Sequence, residues 1–210
     1  MSSPGSLSAV LLAAGRSRRM GGRNKLLLDV GGCPVLARVL RAVAEASVAD
    51  IIVVTGAQHE RVASLVEREG SARTVHNPDF SSGMASSIRR GIRAAPEDAK
   101  GYLLCPGDLP LLSGRTVEHL CRAFAAQSPP CIVAPTYEGQ QGHPVLFSSS
   151  FREGLLRLEG DRGARGLLRR DGAPLAGLPV ADEGILQDVD TPEALRTARR
   201  RAGQNTDKTP

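Results

Sequence analysis

A basic, glycine-rich stretch near the N-terminus is the part of this chain best suited to bind an anion. The residues from Leu12 to Lys25 read LAAGRSRRMGGRNK, so arginines, a lysine and glycines share one short loop. They overlap the end of an apolar run, Leu7 to Ala14, that is typical of a strand buried on both faces of a parallel sheet. Backbone N–H groups and cationic side chains at the carboxyl end of such a strand can converge on an anion, most simply a polyphosphate.

This loop matches neither of the common phosphate-binding motifs. It contains no GxxxxGK[ST] sequence and lacks the spacing of the dinucleotide motif GxGxxG. Gly15 nevertheless leaves room for a ligand to approach the backbone closely, and Arg19 and Lys25 can neutralise phosphate oxygens. A solvated basic turn is the alternative, and the loop alone does not decide between the two.

Carboxylates occur at two further points where a metal ion could be held. Asp108 lies in a GDLP sequence directly after an apolar run, where it either caps the following turn or binds Mg²⁺ beside a triphosphate. Asp188 and Asp190 precede the sequence TPE, which is typical of a helix start with Thr191 as N-cap. A hard divalent cation that bridges phosphates needs one or two carboxylates, so one of these aspartates can be structural.

Three other segments carry polar or flexible residues that also have an ordinary structural explanation. The sequence from Gly83 to Ser87 is either a plain helix start or a place where the edge of a base is read. His143 lies in a QQGHP sequence before a predicted strand, and a lone histidine is more often structural than catalytic. Residues 160–166 are too rich in glycine for a stable helix and form either a linker or a mobile lid that carries Arg165 to an anion.

The elements that must position these residues alternate along the chain. Apolar or β-branched runs predict strands at 7–14, 51–55, 72–76 and 101–105. Helical spacing of apolar residues follows each of them, and this alternation predicts an α/β fold with a largely parallel sheet and right-handed crossovers. Ligands of open α/β sheets bind at the carboxyl ends of the strands, so the loops after Ala13, His76 and Cys105 are predicted to meet at one pocket.

Beyond Cys131 the pattern is less regular. Strands are predicted at 131–135 and 144–147, and a helical stretch with glycine interruptions is predicted at 151–170. We expect this region to form the second wall of the cleft. A length of 210 residues suits one domain. The predicted organisation is a flexible leader at 1–6, a single domain at 7–202 with halves at 7–128 and 129–202, and a flexible tail at 203–210.

Composition and charge exclude several classes of protein. No run approaches the roughly 20 apolar residues of a membrane-spanning helix, and no cations precede the first apolar run as in a signal peptide. We therefore expect a cytoplasmic protein without a membrane partner. The formal charge of +5 could indicate nucleic acid, but aromatic residues make up only 3% and Trp is absent, which leaves little for base stacking. The cysteines lie far apart in the sequence, so free thiols are expected instead of a zinc site.

Six motifs in a fixed order resemble the molybdenum cofactor (molybdopterin) cytidylyltransferases and their guanylyltransferase relatives. These enzymes are a branch of the nucleotidyltransferase superfamily with a glycosyltransferase-A-like (GT-A-like) fold. The match extends from about Leu7 to Leu195, and Leu109 replaces the Met or Gln that the family carries after Gly-Asp. The motifs are LxAAGxSxRMG with a later lysine at 11–21 and 25, NP with GMxxSI at 77–78 and 83–88, GDLP at 107–110, GHPV at 142–145, GDxGAR at 160–165 and DxDTPE at 188–193.

The resemblance implies a fold and a set of site residues. The fold is a three-layer α/β/α sandwich with a mostly parallel, Rossmann-like sheet of the GT-A-like nucleotidyltransferase type. The implied metal is Mg²⁺, with Mn²⁺ as an alternative, on Asp108 together with Asp190 or Asp188. The implied nucleotide-binding residues are Leu12, Ala13, Ala14, Gly15, Arg19, Lys25, Gly83, Ser87 and Asp108. The implied residues on the pterin side, in the half at 129–202, are Gly142, His143, Pro144, Asp161 and Arg165.

The implied reaction is the transfer of CMP from CTP to the terminal phosphate of molybdopterin, with Lys25, Arg19 and Asp108 as the catalytic residues. Its products are molybdopterin cytosine dinucleotide and pyrophosphate, and a receiving molybdoenzyme of the xanthine dehydrogenase type is an implied partner. Ala14 favours CTP, because the relatives that use GTP carry a second glycine there. The alternatives are GTP as donor, a sugar or polyol phosphate as acceptor, and a carrier that holds the cofactor for a molybdoenzyme without chemistry. Nucleic acid is not expected as a partner.

Overall fold

The computed structural model describes residues 6–161, 163–167 and 175–206, and these residues form one mixed sheet with helices on both faces. The strands are β1 (Leu7–Ala13), β2 (Asp50–Thr55), β3 (Arg73–His76), β4 (Gly101–Pro106), β5 (Ile132–Tyr137), β6 (Gln140–Gln141), β7 (Val145–Ser148) and β8 (Leu175–Pro179). The helices are α1 (Val35–Ala44), α2 (His59–Glu69), α3 (Met84–Ala94), α4 (Gly114–Ala125), α5 (Arg152–Leu156) and α6 (Pro192–Thr206).

The sheet changes from parallel to antiparallel at its centre. Its order is β3-β2-β1-β4-β7-β5-β6, and β8 pairs with β5. The first four strands in this order are parallel, and Val10 of β1 lies opposite Ile52 on one side and Leu104 on the other. Strand β7 then runs antiparallel to β4, with Leu146 opposite Leu103. The predicted α/β fold is confirmed, and the first half of the chain supplies the parallel part.

Each face of the sheet has its own hydrophobic layer. Along β1, successive side chains alternate between the two faces, so Leu11 packs with α1, α2, α4 and α6, whereas Val10 packs with α3 and α5. Both side chains are fully buried. A strand that is apolar on both faces must be covered on both faces, which explains why a continuous apolar run forms the centre of this sheet. The three-layer α/β/α arrangement implied by the resemblance is therefore confirmed.

The stretch at 151–170 is helical in separate pieces. Among the described residues of this stretch, α5 is an α-helix, a turn follows it, and a short 3₁₀ helix lies at Gly163–Gly166, after which Leu167 is again helical. Gly160 and Gly163 have φ angles of +65° and +56°, in the left-handed region that a continuing α-helix cannot contain. The predicted helical stretch with glycine interruptions is therefore confirmed for the described residues, whereas residues 168–170 lie outside the described part of the chain.

Several further predictions concern the ends, the cysteines and the membrane. The boundaries of leader, domain and tail stay predictions, because residues 1–5 and 207–210 are not described; α6 continues to Thr206. All four cysteines are buried free thiols, as predicted. None of the described helices combines the length and the apolar character that a membrane span requires.

Candidate active site

A cleft of about 470 Å³ lies at the carboxyl ends of β1, β3 and β4. The loop after β1, from Ala14 to Lys25, forms one wall; Phe80 to Gly83 come from the segment after β3, and Asp108 comes from the turn after β4. The prediction that these three loops meet at one pocket is confirmed. The physical reason is the parallel pairing of β1 with β2 and β4, which places the carboxyl ends of these strands at the same edge of the sheet.

The loop after β1 is folded so that Lys25 returns to the strand end. Gly21 and Gly22 have φ angles of +62° and +81°, which reverse the chain direction at low steric cost. The Ser17 hydroxyl then accepts a hydrogen bond of 3.1 Å from the backbone N–H of Lys25. The buried Asn24 accepts another of 3.1 Å from the backbone N–H of Leu26. These local bonds fix the backbone on both sides of Lys25.

The Lys25 ammonium lies between two carboxylates. It forms ion pairs with Asp108 Oδ2 and Asp190 Oδ1, and the side chains of Lys25 and Asp108 are each only 14% exposed. Burial disfavours the charged amine, but the two carboxylates outweigh it, so the pKa of Lys25 lies above its ordinary value. Arg19 approaches the same site from solvent, with Nη1 at 3.3 Å from Asp190 Oδ2 and a side chain that is 74% exposed.

Asp108, Asp188 and Asp190 form a cluster in which one oxygen of each lies within 4.8 Å of the others. Burial, followed by the charges of Asp108 and Asp190, raises the pKa of Asp188. Asp108 Oδ1 is buried and accepts no hydrogen bond from any described residue. Three carboxylates, one of them with an unused oxygen, are the donor set of a hard divalent cation. The residues present therefore fit a divalent metal ion.

The aspartates are brought together by a backbone contact between distant segments. The N–H of Val189, which lies between Asp188 and Asp190, donates to the backbone oxygen of Asp108 at 2.9 Å. The Val189 side chain is buried in the core, so the aspartates on either side of it are directed away from the core. This arrangement explains why the sequence pattern Asp-Val-Asp can contribute two carboxylates to one site.

The start of α3 closes the cleft opposite the basic loop. Gly83 has a φ angle of +114°, and a Cβ there would lie 2.6 Å from the Gly160 backbone, so glycine is required for both conformation and space. The backbone N–H groups of Met84 and Ala85 donate to Asp161 Oδ1 at 3.2 Å and to Gly160 O at 3.0 Å. Part of the glycine-rich segment therefore caps the N-terminus of α3.

A second cavity of about 260 Å³ adjoins the first. Leu12, Met84, Pro106 and Asp161 line both cavities. The walls of the second cavity are otherwise mainly apolar and include His143 at one side. A ligand in the cleft and another in the second cavity would therefore touch the same side chains. The arrangement suits two substrates that react with each other.

The comparison with known families decides the identification. Residues 9–175 match the model of the MobA-like NTP transferase domain. The chain belongs to this family. Among curated relatives of this MobA-like NTP transferase, the purine catabolism protein PucB of Bacillus subtilis is 34% identical over 209 residues, which cover 92% of this chain and 96% of the relative. The nicotine blue oxidoreductase of Paenarthrobacter nicotinovorans is 30% identical over 197 residues, which cover 90% of this chain and 94% of the relative.

A solved structure supports the same assignment. The Rv0371C protein of Mycobacterium tuberculosis, solved as a complex with manganese, is 27% identical to this MobA-like NTP transferase. The two structures superimpose with a TM-score of 0.76, over 93% of this chain and 98% of the other. The agreement extends over nearly the whole of both chains, so the fold of this nucleotidyltransferase family is shown for both halves of the sheet.

Most of the residues that are predicted to bind the nucleotide line the cleft of this MobA-like NTP transferase. They are Leu12, Ala14, Gly15, Arg19, Lys25, Gly83, Ser87 and Asp108. Ala13 is the exception, because its side chain points into the core from β1 and is 1% exposed. Asp190 also lines the cavity, and the exposed Asp188 completes the carboxylate cluster beside it.

The residues predicted for the pterin side divide into two groups. His143 and Asp161 line the second cavity. Neither Gly142 nor Pro144 is among the lining residues, and a Cβ on Gly142 would lie 2.6 Å from the backbone oxygen of Ile185. Arg165 belongs to the 3₁₀ helix at Gly163–Gly166, and its side chain lies outside the described part of the structure.

Sequence reasoning missed two residues in the wall beside Ala14. A Cβ on Gly56 would lie 2.7 Å from the Phe80 side chain and 2.8 Å from Ala14 Cβ, so Gly56 allows both to pack there. The Arg16 guanidinium lies 5.3 Å from the centre of the Phe80 ring, within range of a cation–π contact. A single glycine after a strand and a single Phe in a loop have no distinctive spacing. Phe80 could have been noticed only as one of four Phe residues in a chain poor in aromatics.

Proposed function

We propose that this MobA-like nucleotidyltransferase transfers CMP from CTP to the terminal phosphate of molybdopterin. The observation that carries the proposal is the cluster of Lys25, Asp108 and Asp190, which lies in a cleft that shares a wall with a second cavity. A cation next to carboxylates suits a triphosphate with its metal ion, and the adjoining cavity suits an acceptor. The products are molybdopterin cytosine dinucleotide and pyrophosphate.

The chemical step is an in-line substitution at phosphorus. An oxygen of the acceptor phosphate forms a bond to the α-phosphorus of CTP, while the bond from that phosphorus to the bridging oxygen breaks and pyrophosphate leaves. Lys25 and Arg19 neutralise negative charge on the phosphates, which is greatest as the leaving group departs. No side-chain nucleophile is needed, and positioning of the two phosphates supplies most of the rate enhancement.

The proposed metal ion is Mg²⁺ or Mn²⁺ on Asp108 with Asp190 and Asp188. When bound, it supplies positive charge that polarises the phosphate oxygens and draws pyrophosphate towards departure. The buried unused oxygen of Asp108 and the close approach of the three carboxylates support this role. The manganese in the Rv0371C complex is consistent with a divalent ion in this family.

The choice of CTP and molybdopterin rests on specific residues and relatives. Ala14 lines the cleft, where the GTP-using relatives of the resemblance carry glycine. His143 and Asp161 give polar groups to an otherwise mainly apolar second cavity, which suits a flat heterocycle with hydrogen-bonding edges. The relative named as a purine catabolism protein supports a receiving molybdoenzyme of the xanthine dehydrogenase type, since such enzymes oxidise purines.

The deciding experiment measures pyrophosphate release with each of the four ribonucleoside triphosphates, with and without molybdopterin. The proposal predicts release only with CTP and molybdopterin together, in the presence of Mg²⁺ or Mn²⁺. Preference for GTP would establish the guanylyltransferase alternative. Pyrophosphate release with CTP and a sugar or polyol phosphate, but not with molybdopterin, would show that the acceptor is the sugar or polyol phosphate. Binding of molybdopterin without any pyrophosphate release would indicate a carrier.

Asp108→Asn tests the metal assignment within the same assay. The substitution keeps the shape of the side chain but removes a charge from the cluster, so we expect at least about 100-fold slower pyrophosphate release. Asp98→Asn is the control, because Asp98 is an exposed carboxylate in the turn after α3. A folded Asp108→Asn variant that keeps most of the wild-type rate would rule out Asp108 as the principal metal ligand.

A further inference from the structure

Asn77 is a buried amide directly beneath the start of α3. The residue is only 2% exposed. Its Nδ2 donates hydrogen bonds to Ser86 Oγ at 2.9 Å and to Ser87 Oγ at 3.0 Å. Oδ1 accepts from the backbone N–H of Asp79 at 3.1 Å. A backbone N–H can only donate, so the amide oxygen must face Asp79 and the orientation of the Asn77 amide is fixed. Both of its N–H bonds therefore point at serine hydroxyls.

The two serines use their own protons differently. Ser86 accepts from Asn77, and its single proton can be donated to either of two backbone oxygens, that of Gly83 at 2.8 Å or that of Asp79 at 3.0 Å. Ser87 also accepts from Asn77, but among the described residues we find no hydrogen bond that it donates. Ser87 lines the cleft, whereas Ser86 does not. The Ser87 hydroxyl therefore has a proton that it can donate to a ligand in the cleft.

We propose that Asn77 is a positioning residue that makes Ser87 a hydrogen-bond donor to the base of the bound nucleotide. A donor selects a base that presents an acceptor at this point. Cytosine offers N3 and O2 as two adjacent acceptors on its Watson–Crick edge, whereas guanine carries donors, the N1–H and the exocyclic amino group, at the corresponding two positions and has its acceptor O6 at the third. The inference rests on the proposed function and adds a basis for nucleotide choice that is independent of Ala14.

Asn77→Asp is the sharpest test because it reverses the direction of these hydrogen bonds while keeping the side-chain shape. A carboxylate oxygen accepts where the amide nitrogen donated, so the Ser87 proton turns inward and the cleft loses its donor. We expect the Kd for CTP to rise about tenfold, as expected for one lost hydrogen bond in a buried site. KM for CTP should rise likewise, while kcat at saturating CTP stays within about twofold.

The controls separate positioning from simple packing. Ser87→Ala removes the donor and should weaken CTP binding by a similar factor, whereas Ser86→Ala should leave it within about twofold. Adding Asn77→Asp to Ser87→Ala should then cause no further loss of CTP affinity. An equal loss from Asn77→Asp in both backgrounds would overturn the inference, since it would show that Asn77 acts without Ser87.

Two further outcomes keep the test decisive. If Asn77→Asp does not fold, the serine pair alone decides, and a Ser87→Ala variant that binds CTP as tightly as the wild type overturns the inference. Equilibrium binding of CTP needs no acceptor, so the result does not depend on molybdopterin. If the wild type binds GTP more tightly than CTP, the proposed function is contradicted. Measuring GTP binding by Asn77→Asp, Ser87→Ala and the double variant then tests whether Asn77 and Ser87 act together.

Discussion

Lys25 and a divalent metal ion would be attracted to the same carboxylates. The ammonium group forms ion pairs with Asp108 and Asp190, and its raised pKa keeps it charged near neutral pH. Asp188 lies beside these two carboxylates, where burial raises its pKa and the charge of Lys25 partly opposes that rise. A positive charge that forms ion pairs with two of the three carboxylates opposes the binding of a second cation to them, most strongly at Asp108, which is largely shielded from solvent. Lys25 therefore holds Asp108 and Asp190 together and would compete with a metal ion for them.

Replacing Lys25 should separate these two effects. In Lys25→Met the aspartates lose their competing cation, so we expect Mn²⁺ alone to bind about tenfold more tightly. Pyrophosphate release should nevertheless be lost, because the phosphates lose a cation. Isothermal titration with MnCl₂ measures the first effect, and Lys100→Met, at an exposed lysine, is the control. Unchanged or weaker Mn²⁺ binding would show that Lys25 does not compete with the metal.

Ala14 is the residue at which we expect the donor nucleotide to be chosen by size. Its methyl group lies next to Gly56 and Phe80 in the wall of the cleft, and the residue is 6% exposed. Ala14→Gly removes the methyl group and widens this wall, so kcat/KM for GTP relative to CTP should rise at least about tenfold. Competition assays with both nucleotides measure the ratio. An unchanged ratio would leave the choice to other residues, including Ser87.

Among the secondary-structure elements, α3 connects the two cavities. Its first turn donates backbone N–H groups to Gly160 and Asp161, and Arg89 in its middle donates to the backbone oxygen of Leu158. The glycine-rich segment is therefore attached to one face of this helix at several points. Met84, at the start of the helix, lines both cavities. A change in this attachment should affect both substrates.

Asp161→Ala removes the side-chain cap from α3. Loss of a capping carboxylate costs about 1 kcal/mol, so Tm should fall by about 2–4 °C in a domain of this size. KM for CTP and for the acceptor should both rise, because Asp161 lines both cavities. Glu159→Ala, at an exposed neighbour, is the control for both readouts. A rise in the KM of only one substrate would contradict a shared role of this segment.

Across the whole molecule, the cluster of Lys25 with the aspartates joins segments that are distant in the sequence. Lys25 contacts partners 83 and 165 positions away. The segment that carries Asp188 and Asp190 is itself held by Asp182. That carboxylate accepts hydrogen bonds from the backbone N–H of Ser113 at 3.0 Å and from the Thr116 hydroxyl at 2.6 Å, at the start of α4.

Asp182→Ala should therefore weaken the site from a distance. Two hydrogen bonds to α4 and one to Gly184 N–H at 2.9 Å are lost. The expected cost is about 2–4 kcal/mol, which lowers Tm by roughly 5–15 °C. Mn²⁺ affinity should fall in parallel, because the segment with Asp188 and Asp190 loses its attachment. Thr116→Val, which removes one of the bonds, should give a smaller effect on both. If Asp182→Ala binds Mn²⁺ as tightly as the wild type at a temperature where both are fully folded, Asp182 does not support the carboxylate cluster.

The sequence determined the fold class and the composition of the cleft. Strand and helix patterns are local, so the apolar run of β1 and the helical spacing after it were sufficient to predict the α/β fold. Parallel strands end at one edge of a sheet, which also made the meeting of the three loops predictable. At 151–170 the glycines indicated that the helical stretch is interrupted but not at which residue, because the effect of a glycine on a helix depends on whether its φ becomes positive.

Only the tertiary structure decided which side chains meet. The pairing of Lys25 with Asp108 and Asp190, and the fixed direction of the Asn77 amide, depend on strand order and on loop conformations far apart in the chain. Asn77 illustrates the reason. The composition of the segment around it predicts a loop, but the hydrogen bonds of Asn77 depend on the backbone N–H of Asp79 and on the hydroxyls of Ser86 and Ser87 in α3. Periodicity in the sequence reports which face of an element is buried, whereas hydrogen-bond direction is set only when distant segments are brought together.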